Sequence, residues 1–307
     1  MDLSKYNRIK EALRECAYPE IGVSGGSSGH RPGGGLTDDI LEKPFKILVT
    51  GQFNSGKSSV INTLLGEELL PTKALPCTAI HTEIYYGAEK KAVMYPKPDQ
   101  YKDGDEPFEI TPEPSEIKKY SIIKNNLSAD ETRVETVFEK MVIYLPSDIL
   151  REGIAIIDSP GITDPLFAIN YMPEAEYIAD ADVILYCICA SWAYSPRDKN
   201  FLEHLNDMGV SKPVIVTTYF DIIQNQGEDA VKDFSEYAIN SYENHTTREC
   251  CHFVNSLQGM QSKQSGDHEA YVESGYAGLE AFLEKYIIEN CGKPRLASAI
   301  DAALYMR

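Results

Sequence analysis

Residues 51–58 read Gly-Gln-Phe-Asn-Ser-Gly-Lys-Ser, and no other stretch of the chain restricts its fold as strongly. An apolar run at 45–50 precedes the octapeptide as a buried strand, and residues 58–65 open a helix. A strand, a glycine turn and a helix in that order let backbone N–H groups wrap a chain of phosphates. The helix N-terminus adds positive potential. Gly51, Asn54, Ser55, Gly56, Lys57, Ser58 and Ser59 are therefore the expected phosphate site. Lys57 would neutralise the β and γ oxygens, and the Ser58 hydroxyl would ligate Mg2+.

Further apolar runs at 154–157, 183–190, 214–218 and 253–254 are separated mostly by helical patterns. Strands alternating with helices imply an α/β fold: a doubly wound, mostly parallel sheet with helices on both faces. The stretch 96–116 breaks the pattern with five prolines and seven acidic residues. It reads as a solvent-exposed excursion between strands.

Three more motifs fall where a nucleotide site needs them. Asp158-Ser159-Pro160-Gly161 follows the strand at 153–157. Asp158 there can hold a water on Mg2+, and the Gly161 N–H can contact a γ-phosphate, so that the loop senses its presence. Thr78, in Pro76-Cys77-Thr78-Ala79, lies twenty residues beyond Ser58. Its hydroxyl can reach Mg2+ and its carbonyl an attacking water. Thr218-Tyr219-Phe220-Asp221 leaves the end of the strand at 212–217. Asp221 can accept two hydrogen bonds from the ring N–H and amine of guanine, a pattern adenine does not offer, and so selects GTP. The common Asn-Lys-x-Asp form is replaced by Thr218 and Tyr219. Thr218 makes fewer hydrogen bonds than an amide, and Tyr219 can cover the base by stacking. Asn255-Ser256-Leu257, after the next strand, would offer backbone N–H to guanine O6.

Composition narrows the partners. The 307 residues carry 29 basic and 47 acidic side chains, a formal charge of −18, which repels nucleic-acid phosphates and excludes nucleic acid as a partner. Seven scattered cysteines, two of them in an apolar run, point to reduced core thiols and a cytoplasmic setting. The longest wholly apolar run, 183–190, is far below the roughly 20 residues of a membrane span.

The order GQFNSGKSS, LLPTKALPCTAI, IIDSPGITD, VTTYFD and VNSLQ over residues 45–289 resembles the P-loop GTPase domain of dynamin-like proteins. The bacterial dynamin-like and mitofusin branch is the nearest in pattern. The resemblance implies a large Mg2+-dependent GTPase, turning GTP into GDP, whose hydrolysis is stimulated when two GTPase domains dimerise across their nucleotides. It also implies a homodimer or a related dynamin-like partner, and peripheral membrane association through a helical neck that drives fission, fusion or tethering. On that analogy residues 1–21 form an N-terminal neck helix and 22–36 a Gly-rich linker, with seven glycines between 22 and 35. Residues 37–292 are then the GTPase domain and 293–307 the start of a C-terminal neck helix. The helical patterns agree: residues 3–17 are amphipathic, Gly292 and Pro294 would close the helix before them, and the last helix is left open as though the protein were larger.

The catalytic residues are a separate question. Small GTPases often place a water-orienting glutamine just after Asp-x-x-Gly, and here that position is Ile162, which cannot hydrogen-bond. The water must be held by the Thr78 carbonyl, by Gln52 or Asn54 of the glycine loop, or by a partner, with Lys57 the only nearby cation. Trp192 and Tyr194, on the rim beyond the strand ending at 190, either join a dimer face or pack locally. Three other readings stay open: a solitary regulatory GTPase switch, a nucleotide-binding module with little turnover, and an ATPase.

Overall fold

The computed structural model describes residues 3–17, 40–72, 80–98, 106–121, 138–160, 171–210 and 212–305. Its centre is a nine-stranded mixed sheet: β1 (Phe45–Gly51), β2 (His81–Tyr86), β3 (Lys91–Pro96), β4 (Phe108–Ile110), β5 (Phe138–Leu145), β6 (Ile154–Asp158), β7 (Val183–Cys189), β8 (Val214–Thr218) and β9 (Cys251–Phe253). The order across the sheet is β4-β3-β5-β2-β6-β1-β7-β8-β9. Strands β6, β1, β7, β8 and β9 run parallel, as expected of strands joined by helical crossovers. β2 runs antiparallel to β6 and parallel to β5, and β3 and β4 are antiparallel additions at one edge.

The strands are apolar on both faces because both faces are covered. Ile47 and Val49 of β1, with Leu185, Cys187, Val214 and Val216, point into one core beneath the Lys57–Leu65 and Tyr276–Tyr286 helices. Leu48, Ile157, Ile184, Tyr186, Ile188 and Ile215 point into the other, filled by Phe201, Leu202 and Leu205 of the Pro196–Asp207 helix and by Tyr242. The register sets Val49 opposite Asp158 and Gly51 opposite Cys187. The glycine loop and Asp158 therefore leave the sheet at the same, carboxyl-terminal edge, where open α/β sheets bind ligands.

The sequence misleads in two places. The excursion at 96–116 contains β4, which pairs with β3, and runs into the Pro114–Ser121 helix. Phe108, Tyr120 and Phe138 meet edge-on there, and Ile117 is fully buried. Three strand residues among prolines are too few to show a period of two. At the other end, Gly292 and Pro294 do not stop the chain's helical path. The Tyr276–Tyr286 helix continues through a π-helical turn, Ile287–Gly292, into the Lys293–Tyr305 helix. The wider π turn lies directly before the proline, which lacks an N–H for a regular ladder. A Cβ on Gly292 would stand 3.0 Å from the Tyr6 ring, so glycine here admits a neighbour.

Both terminal helices touch the amino-terminal end of β1, far from the glycine loop. Leu3 and Tyr6 are buried at the start of the Ser4–Ala17 helix, with Tyr6 edge-on to Phe45 at 5.1 Å. Asn7 donates to the Glu152 carboxylate at 3.1 Å. Arg295 lies over the Phe45 ring and donates to both Asp182 oxygens at 2.6 Å. The expected Gly-rich linker, 22–36, lies outside the described residues.

Candidate functional site: a phosphate cradle at the carboxyl edge of the sheet

The loop between β1 and the Lys57–Leu65 helix is shaped by backbone. Gly51 sits at φ 147°, and a Cβ there would meet the Cys187 carbonyl oxygen at 2.3 Å. Gly56 sits at φ 83° against the Thr218 side chain, and Asn54 at φ 59° is also left-handed. Gly56 is the N-cap and has no side chain to satisfy the first N–H groups of the helix. Those donors are left for an anion. Lys57 is 7% exposed, and its ammonium donates to the carbonyls of Gly51 at 3.2 Å and Gln52 at 3.0 Å. The cation is thus held under the loop. Ser58 and Ser59 follow on the first helical turn, half-buried.

Asp158 ends β6 beside this loop, 1% exposed, and its Oδ1 has no hydrogen-bond partner. Burial pushes its carboxyl up to about 7, against the pull of the Lys57 ammonium. Ser55 Oγ is likewise buried without a partner. Orphaned oxygens of a carboxylate and a hydroxyl are what a hard cation such as Mg2+ takes, in small number, with phosphates and waters completing its shell. Asp158 fits that role; Ser58, the expected second ligand, is half-buried on the first helical turn. Among the described residues no group of three or more His, Cys, Asp or Glu could hold a metal, so a dedicated protein cage is absent there.

The base-side residues are built differently. The Thr218 hydroxyl donates to the Ser55 carbonyl at 2.7 Å and stands 3.3 Å from that of Ile188, tying β8 to the glycine loop. Tyr219 is left-handed, at φ 53°, and 41% exposed. Asp221 begins the short Asp221–Gln224 helix. The Asn255 side chain caps the Ser256–Ser265 helix by accepting from Gln258 N at 3.1 Å, and donates to Gln224 Oε1 at 3.3 Å. Ser256 Oγ pairs with the Tyr276 hydroxyl at 2.7 Å, and Leu257 is 71% exposed. The side chains of Asn255 and Ser256 are thus occupied in structure, and so is the Asn255 N–H, which donates to the Ser274 carbonyl at 2.9 Å.

Gln52, Asn54, Lys57, Ser58 and Asp158 come together at the loop, and Thr218, Tyr219 and Asp221 follow along the same edge of the sheet. Thr78 and Gly161, with Ile162, lie outside the described residues. The Gln52 side chain points into a network that sequence reading missed. Its amide nitrogen donates to Ser195 Oγ at 2.7 Å and to Asp198 Oδ1 at 2.6 Å. The signal was present: Ser195-Pro196-x-Asp198 is a capping box, and it begins the Pro196–Asp207 helix. Trp192 is 47% exposed on the adjoining rim, whereas Tyr194 packs edge-on against Tyr242 at 5.4 Å.

Known proteins place this architecture. A bacterial dynamin-like protein of Nostoc punctiforme is 29% identical over 210 residues, covering 64% of this chain and 28% of the relative. Dynamin-like protein 1 of Campylobacter jejuni is 26% identical over 222 residues, covering 64% of this chain and 30% of the relative. A solved structure of an oligomerised bacterial dynamin pair superposes with a TM-score of 0.67 at 18% identity, covering 98% of this chain and 54% of that one, and so shares the fold. The chain spans under a third of the length of both sequence relatives. The model of the dynamin family matches residues 47–220, from β1 through the glycine loop and Asp158 to the Thr218 loop. That match covers more than half of the 307 residues, and the chain belongs to the dynamin family.

Proposed function

We propose that this chain binds Mg2+ and GTP at the β1 loop and hydrolyses GTP to GDP, with turnover stimulated when two copies face each other across their nucleotides. One observation carries the reading: a buried ammonium, Lys57, lies beside a buried carboxylate, Asp158, whose oxygen has no partner. Both sit where two adjacent parallel strands end. A pair so desolvated is costly unless a ligand completes it.

On this reading the first-turn N–H groups and Lys57 bind the β and γ phosphates, and Ser58 and Asp158 hold the metal side. Mg2+, when bound, supplies charge neutralisation between those phosphates. Thr78 closes over the nucleotide, and Gly161 contacts the γ-phosphate. Asp221 reads the ring N–H and amine of guanine, Tyr219 covers the base, and the backbone N–H groups at 256–257 meet guanine O6. The developing negative charge needs a further cation or a partner's contribution, which supports a homodimer or a related dynamin-like partner. The Nostoc and Campylobacter relatives are much longer than this chain. The solved pair is described as sensing and tethering membranes. Membrane remodelling from a cytoplasmic position, by peripheral association, is the corresponding output here. No helix among the described residues is long and apolar enough to cross a membrane.

Mass in solution tests the reading: nucleotide-free protein against protein with GDP and a γ-phosphate transition-state mimic. A nucleotide-dependent dimer, with phosphate release rising faster than protein concentration, is the expected result. A monomer with flat specific activity fits the solitary switch instead. The engaged Gln52 amide favours a second reading, a nucleotide-binding module with little turnover, which slow release under dimerising conditions would support.

A further inference from the structure

Gln52 is a glycine-loop side chain able to orient a water, yet its donors are occupied. A carboxamide nitrogen carries two hydrogens. Here they meet Ser195 Oγ at 2.7 Å and Asp198 Oδ1 at 2.6 Å, with Gln52 itself only 8% exposed. Asp198 is fully buried and accepts three more hydrogen bonds: from the Tyr186 hydroxyl at 2.8 Å, the Ser195 N–H at 2.8 Å and the Ser195 hydroxyl at 2.7 Å. Its carboxyl oxygens thus accept four hydrogen bonds, one of them from the Gln52 amide.

The acceptors belong to a segment that reaches the surface. Ser195 closes the short stretch that begins with the 3-10 turn Ala190–Trp192. Trp192 on that stretch is half-exposed, and Tyr194 takes the left-handed region at φ 59° although it carries a Cβ. Such a backbone persists only while its surroundings hold it. A push on Trp192 therefore falls on a segment already held against its preference, three residues before the group that holds Gln52.

We propose that Ser195 and Asp198 form a latch that keeps Gln52 from the reacting phosphate, and that a second copy of this chain, covering Trp192, draws Ser195 away and frees the Gln52 amide. The latch rests on the dimer-stimulated GTPase reading above and deepens it: dilute protein is slow because a water-orienting side chain is tied back. Ser195 and Asp198 are positioning residues, since they act through Gln52. A tie that merely stiffened the glycine loop would show the opposite sign on release.

Steady-state phosphate release across a dilution series separates the two. Ser195→Ala should raise the specific activity of dilute protein about fivefold, the equivalent of one neutral hydrogen bond, and leave the concentrated plateau and KM unchanged. Asp198→Asn, if its far-ultraviolet spectrum and melting curve show a folded chain, should raise the dilute rate further. Ser195→Thr keeps the hydroxyl and should restore the wild-type profile. Gln52→Ala should lose the plateau while GDP still binds. A dilute rate in Ser195→Ala that falls, or does not change, overturns the latch while concentration-dependent wild-type turnover upholds the GTPase reading. If the wild type turns over no GTP at any concentration, that reading fails. The latch then stands only if Ser195→Ala gains turnover, and falls if it does not.

Discussion

The proposed phosphate end of the site and the proposed base end, both at the carboxyl edge of one sheet, are held by different means. At the phosphate end the chain uses backbone and burial: left-handed glycines, a lysine under its own loop, and a carboxylate sealed from water. At the base end it uses exposed side chains, Tyr219 and Leu257, around a short helix. A backbone cradle needs certain residues at certain spacings, because only glycine turns there without a clash. Side-chain contacts to a planar base can be met by several residue types. The first end is therefore rigid and intolerant of change, and the second should be adaptable.

Substitutions should expose that asymmetry. Lys57→Ala removes the cation held under the loop and the ammonium that acts on the buried Asp158; GTP turnover should fall about a thousandfold or more. A loss under tenfold in steady-state kcat/KM would make the two ends equivalent. Asp221→Asn should lower the preference for GTP over ATP about a hundredfold, read by competition, with ATP binding little changed. An equal loss for both nucleotides would mean that Asp221 supports the loop and does not read the base.

Acid gives a third comparison, between His81, buried on one side of β1, and His252, half-buried on the other. Burial lowers both His81, on β2, and His252, on β9, to about 4 from an ordinary 6.5. Between those values the unfolded chain binds protons that the folded chain does not. The histidines' contribution is therefore complete above about pH 6.5 and is lost as pH falls toward 4, by about 2 kcal/mol for each at pH 5, while the Asp158 carboxyl, raised to about 7, takes up a proton in the folded chain over the same range and offsets about one such share. Denaturant unfolding at pH 7 and pH 5 measures it, and His81→Gln and His252→Gln should each remove one share. A loss between pH 7 and pH 5 that is the same in both variants as in the wild type would show that neither histidine is held neutral. Tyr219→Ala should have the smallest effect, a weakening of nucleotide binding of about fivefold through lost stacking. A loss near that of Lys57→Ala would show that the base end is no softer than the phosphate end.

The same contrast explains what could be read in advance. The glycine loop, Asp158 and the central strands were legible because each rests on local chemistry: an apolar run, a turn, a residue at the strand end. Thr218 was placed at the base end by its position in the motif, but its bond to the Ser55 carbonyl joins residues 163 apart, and only the folded sheet shows it. The Gln52–Asp198 contact spans 146 positions and was invisible for the same reason, although the capping box that builds its far side could have been read locally. β4 was hidden because three residues give no period, and at 287–292 a glycine followed by a proline read as a stop, although the close neighbour that Gly292 admits is Tyr6, from the other end of the chain.

A crystal structure with Mg2+ and a non-hydrolysable GTP analogue tests the account most directly. The β and γ phosphates should lie against the N–H groups of residues 54–59 and the Lys57 ammonium, with the metal on the side of Ser58 and Asp158. An empty loop, or an analogue seated elsewhere on the sheet, would contradict it.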